Sequence, residues 1–128
     1  MKLNKIHHIA IICSNYQESK HFYTDLLGFR IIHEFYRQEK DSYKLDLAVD
    51  ENTAIELFSF PHPPPRVTGP EAAGLRHLAF EVEKIEPVMA ELNANQIAVE
   101  PIRIDNTTRK KYTFFKDPDG LPIELYEK

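Results

Sequence analysis

Cysteine is almost missing from this chain: Cys13 stands alone, so no internal disulfide can form, and a reducing compartment is the natural setting. Long apolar runs are missing too, which argues against a membrane-spanning helix. There is no excess of positive charge. Sixteen Lys and Arg stand against 20 Asp and Glu, for a formal net charge of -4 and a pI near 5.8. That balance lacks the basic field a nucleic-acid backbone requires. Met1-Lys2-Leu3-Asn4-Lys5 runs directly into a strand pattern with no small-residue cleavage site. The expectation is a cytoplasmic protein with neither a nucleic-acid nor a membrane partner. What is present is 128 residues, 42% hydrophobic and 28% charged, enough to bury one core.

Residues 6–13 read as a buried strand, rich in Ile and bounded by Lys5 and Ser14-Asn15. A helix is predicted next, with Ser14 and Gln17 as a capping box, Phe22, Tyr23, Leu26 and Leu27 on one face, and Gly28 beyond its end. Strands follow at about 29–38, 43–49 and 54–60. The stretch 61–74 holds five prolines and two glycines and reads as a linker. The order then returns: a strand at 76–82, a helix at about 86–94 with Pro87 in its first turn and Asn95 as cap, and strands at about 97–104, 111–116 and 121–127. Asp117-Pro118-Asp119-Gly120 is a tight turn between the last two. The predicted class is α+β: two β-α-β-β-β modules, about 4–60 and 75–128, forming one domain with a curved mixed sheet.

The two modules share wording as well as order. Ile6-His7-His8-Ile9-Ala10-Ile11 returns as Leu75-Arg76-His77-Leu78-Ala79-Phe80, and Ile55-Glu56-Leu57-Phe58 returns as Ile123-Glu124-Leu125-Tyr126. Side chains alternate along a strand. His8, Ala10 and Ile12 therefore share a face opposite Ile9, Ile11 and Cys13, and His77, Glu56 and Glu124 likewise fall opposite the aliphatic stripe of their own strands. A carboxylate on a sheet face is costly to bury unless it is paired or binds a metal. Two imidazoles and two carboxylates, converging, suit a borderline divalent ion such as Ni²⁺, Co²⁺, Zn²⁺, Fe²⁺ or Mn²⁺ better than Mg²⁺ or Ca²⁺. With His8, Glu56, His77 and Glu124 as ligands, an octahedral ion keeps two positions for water or for two adjacent substrate oxygens.

On these residues the chain resembles the vicinal oxygen chelate superfamily, and within it the glyoxalase I (lactoylglutathione lyase) branch. The motifs carrying the likeness span residues 4–128: His8-Ile-Ala-Ile, Phe22-Tyr23, Leu27-Gly28-Phe29, Ile55-Glu56-Leu57, His77-Leu-Ala-Phe and Phe115-Lys-Asp-Pro-Asp-Gly ending at Ile123-Glu124-Leu125. The resemblance implies one divalent ion per site, nickel or zinc first, with cobalt, manganese or iron as alternatives. It implies a homodimer, and conversion of a 2-oxoaldehyde–thiol hemithioacetal of the methylglyoxal type to a 2-hydroxyacyl thioester by proton transfer through an enediolate. Glu124 is then the base and Glu56 its symmetry-related partner. In glutathione-using relatives an Arg and an Asn hold the tripeptide at places that are Ile12 and Phe60 here, so the identity of the thiol does not carry over. Other readings within the superfamily are an epimerase, a thiol transferase, a dioxygenase, or a metal-free small-molecule binding or resistance protein.

Phe58, Phe60 and Tyr126 are candidates for the apolar wall of a substrate pocket, and Arg103 for attracting an anionic substrate. Arg109, Lys110 and Lys111 are candidates for the same role, and Arg37, Tyr43 and Lys44 stand open beside them. Parity puts His7 on the face opposite His8, His62 falls in the proline-rich linker, and Cys13 reads as a small buried hydrophobe.

Overall fold

Alternation along a strand decides which face of a sheet is buried, and the computed structural model, which describes residues 1–128, shows it along 42–48, 54–59 and 122–127 but not along 30–37, where no residue is buried. The chain divides into two compact units, Met1–Pro65 and Arg66–Lys128.

The first unit contains β1 (His8–Cys13), α1 (Tyr16–His21), β2 (Arg30–Arg37), β3 (Ser42–Ala48) and β4 (Ala54–Ser59). Its strands lie in the order β1-β4-β3-β2, with β1 parallel to β4 and the other neighbours antiparallel. A parallel pair needs a crossover, and α1 with the strands after it provides one. Ile11, Cys13, Leu45, Leu47, Ile55 and Leu57 are buried, and so are Tyr16, Phe22 and Tyr23 from the helical segment. Burying a side chain of this size is worth roughly 1.5–3 kcal/mol. The helix is capped one residue later than predicted. Asn15, not Ser14, is the cap, because its backbone is extended and its Oδ1 accepts the Glu18 N–H at 3.1 Å. Past His21 the helix widens into a π turn over Phe22–Leu26, and Gly28, at φ 79°, lets the chain leave for β2.

The second unit contains β5 (Leu78–Val82), α2 (Ile85–Ala94), β6 (Arg103–Ile104), β7 (Lys111–Lys116) and β8 (Pro122–Glu127), in the sheet order β5-β8-β7-β6. Again the first and last strands are parallel. Leu78, Phe115, Leu121, Ile123 and Leu125 are buried, as are Ile85 and Leu92 of α2, which packs on β7 and β8. The buried Glu127 serves this helix from outside, accepting the Ile85 N–H at 3.1 Å. The strand predicted over 97–104 is much shorter, pairing only at Arg103 and Ile104. Pro101 has no N–H to donate, and upstream of it the Glu100 N–H alone reaches across, to the Phe114 carbonyl at 2.9 Å. The predicted turn at Asp117–Gly120 is present: Asp117 Oδ1 accepts N–H groups from Asp119 and Leu121, and Gly120 has φ 84°. No helix is long and apolar enough to cross a membrane.

Candidate metal centre

Strand register builds the same small constellation in each unit. In the first, Glu56 on β4 lies between Ala10 of β1 and Asp46 of β3, and His8 stands two residues back along β1. In the second, Glu124 on β8 lies between Ala79 of β5 and Phe114 of β7, and His77 stands two residues before Ala79. Only a methyl group flanks each carboxylate on one side. That leaves room for the imidazole, diagonal across the parallel pair, to reach over. His8 Nε2 lies 3.3 Å from Glu56 Oε2, and His77 Nε2 lies 3.0 Å from Glu124 Oε2. Both glutamates are largely covered, at 18% and 14% side-chain exposure, while His8 at 42% is the most open of the four.

These separations suit adjacent ligands on one ion. Two donors about 2.1 Å from a metal are about 3.0 Å apart at a right angle and about 3.4 Å apart at the tetrahedral angle. Without an ion, the same spacing is a hydrogen bond between imidazole and carboxylate. Within neither unit does a third His, Cys, Asp or Glu complete a group that could hold an ion. Each unit therefore holds a two-donor pair.

The surroundings of the two pairs differ. Lys44 Nζ lies 3.5 Å from Glu56 Oε1 and 2.7 Å from Asp46 Oδ1. The Asp46 carboxylate, opposed by partial burial and helped by Glu56, holds this ammonium above its ordinary pKa. Glu124 has aromatic company instead. Phe114 stands edge-on to His77, with ring centroids 5.1 Å apart. Arg103 lies over Tyr112 and Phe114, at 5.1 and 5.5 Å from their centroids, and its Nη2 bonds Glu100 Oε2 at 2.7 Å.

Of the predicted wall residues, Phe58 and Phe60 lie nearly parallel, centroids 6.2 Å apart, beside the first pair. Arg37 sits over both, 4.9 and 5.8 Å from the ring centres. The Tyr126 hydroxyl donates to Asp105 at 3.0 Å and also contacts the Thr108 hydroxyl, so this ring is tied to the loop after β6. His7 departs from its predicted place. It precedes β1, and its Nδ1 stands 3.0 Å from His8 Nδ1 on the side of that ring away from Glu56. The contact of Lys44 with Glu56 had one signal in the sequence: Lys44 and Asp46 alternate with the buried Leu45 and Leu47, which puts them on the ligand face.

A family model described as the Glyoxalase/Bleomycin resistance protein/Dioxygenase superfamily matches residues 5–125. The Bacillus subtilis (strain 168) protein YwkD is 59% identical over 127 residues, covering 99% of each chain. The crystal structure of a glyoxalase family protein from Enterococcus faecalis is 52% identical, with a TM-score of 0.92, over 99% of this chain and 100% of that one. A more distant relative is Glyoxylase I 4 of Arabidopsis thaliana, 25% identical over 130 residues, 98% of this chain and 71% of that protein.

Proposed function

Because the chain belongs to the glyoxalase/bleomycin resistance protein/dioxygenase superfamily, we propose that it is a metal-dependent lyase of the glyoxalase I kind. It converts the hemithioacetal of a methylglyoxal-type 2-oxoaldehyde and a thiol into the 2-hydroxyacyl thioester. The observation that carries this reading is the matched pair: His8 with Glu56 and His77 with Glu124, at equivalent registers and at ligand spacing.

Two donors per unit are too few to hold a divalent ion against water, so the pairs act together. In this reading the protein is a cytoplasmic homodimer, and the His8–Glu56 pair of one chain meets the His77–Glu124 pair of another copy. Nickel or zinc is the expected ion. When bound, it supplies a Lewis acid that acidifies the carbon-bound proton of the substrate and stabilises the charge left behind. Glu124 takes that proton at a carboxylate oxygen and returns it to the neighbouring carbon. Its surroundings favour it for the role: the His77 imidazole is its polar neighbour, whereas Glu56 is restrained by Lys44 as well as by His8. Glu56 then remains the holding ligand. Phe58, Phe60 and Tyr126 keep water from the reacting carbons, while Arg103, already paired with Glu100, lies over Tyr112 and Phe114.

Metal analysis of the purified protein, followed by assay of methylglyoxal with several thiols, tests the reading. About one transition-metal ion per chain and thioester formation are expected. Protein that binds the adduct without metal and without turnover would turn the reading toward a small-molecule binding protein.

A further inference from the structure

Arg37 is a half-buried cation near the first pair that no carboxylate answers. It ends β2 half-buried, with its guanidinium over the faces of Phe58 and Phe60. Its Nη2 donates to Ser42 Oγ at 2.9 Å, its Nε is buried with no partner, and no carboxylate pairs with it. The other cations beside the two pairs are neutralised: Arg103 by Glu100 at 2.7 Å, and Lys44 by Asp46 at 2.7 Å and Glu56 at 3.5 Å. A guanidinium lifted out of water onto aromatic faces keeps its preference for an oxyanion, and a dry setting strengthens it. Its position also matters. Phe58 is two residues beyond Glu56 on the same face of β4, so a group resting on this shelf lies about 7 Å along the strand from the His8–Glu56 pair. Ile12, in register with Phe58 and exposed, makes the neighbouring floor apolar.

We propose that Arg37, seated on Phe58 and Phe60, is the specificity-determining subsite for an anionic arm of the substrate, a carboxylate or phosphate carried about 7 Å from the atoms held at the His8–Glu56 pair. The proposal rests on the substrate-binding reading of that pair and narrows it: the thiol is an acid, attached through a short apolar arm. Arg37 binds and does not take part in proton transfer.

The test compares methylglyoxal adducts of 3-mercaptopropionate and 2-mercaptoethanol, which differ mainly in the carboxylate. In the metal-loaded wild-type protein, kcat/KM for the anionic adduct should exceed that for the neutral one by about tenfold or more, the scale of a charge-assisted bond. The difference should lie chiefly in KM. In Arg37→Gln that preference should collapse toward unity with metal content unchanged. Arg37→Lys, which keeps the charge but loses the fork, should retain part of it and also guards against a folding defect in the first variant. Equal use of the two adducts by wild type, or an undiminished preference in Arg37→Gln, would overturn the proposal and leave the isomerase reading standing. If neither adduct turns over, that reading fails, and binding decides the subsite separately. Addition of 3-mercaptopropionate, or of inorganic phosphate in a parallel titration, should shift the Arg37 Nε–H resonance in the NMR spectrum. The more effective anion identifies the arm, and no shift with either overturns the subsite.

Discussion

The two units carry the same His–Glu pair in different settings. Across the strand from Glu56 is Asp46, and across from Phe58 is Lys44. The equivalent places in the second unit, opposite Glu124 and Tyr126, hold Phe114 and Tyr112. The first pair thus faces charges across the strand and the second faces rings. Backbone register reproduces the His–Glu geometry, while the neighbouring side chains differ: Glu56 meets Lys44 as well as His8, and Glu124 meets His77 beside an aromatic ring.

The sharpest way to break that division is to remove each carboxylate's ability to take a proton. Glu124→Gln should lower turnover by about 10²–10⁴-fold with the ion still bound, and Glu56→Gln should lower it less. Steady-state assays beside metal analysis check this, and equal losses in the two variants would erase the distinction. The units should resemble each other in what supports them. Leu57→Ala and Ile123→Ala each empty a fully buried site behind the ligand face and should cost about 2–5 kcal/mol, measured by urea unfolding. A much smaller cost in one unit would show that its core is looser than its burial suggests.

Strand parity explains why so much of this was legible. A period of two along β1, β4 and β8 places His8, Glu56 and Glu124 opposite the apolar stripe without knowledge of any partner strand, and the same period carried one residue ahead of β5 places His77. Parity did not foresee the contact of His7, which stands ahead of β1, with the His8 ring. It also overextended the strand at 97–104, since Ile97 and Val99 alternate as strand residues do while Pro101 interrupts the ladder. The Lys44–Glu56 contact and the Arg37 shelf depend on register between distant segments, which a local pattern does not encode.

Smaller effects sharpen the contrast. Lys44→Met should release Glu56 and lower turnover by less than about tenfold, the range for a partly exposed ion pair. The matched change in the second unit, Tyr112→Met, should leave metal content unaltered. At the weak end is Glu127, whose carboxyl is held below the ordinary value chiefly by the Ile85 N–H and further by Lys84. A depressed folded-state pKa stabilises above the unfolded carboxylate value and is lost as pH falls through the folded one. Glu127→Gln should therefore melt below wild type near neutral pH, and the gap in Tm should close in acid. A gap that persisted in acid would place the effect in packing.

The central claim is that both pairs serve one ion. Its most direct test is the metal content of purified wild-type protein, His8→Ala and His77→Ala, each measured after dialysis against the same limiting metal buffer. Wild type should hold about one ion per chain, and either substitution alone should remove most of it. Full retention of metal in either variant would contradict a shared site.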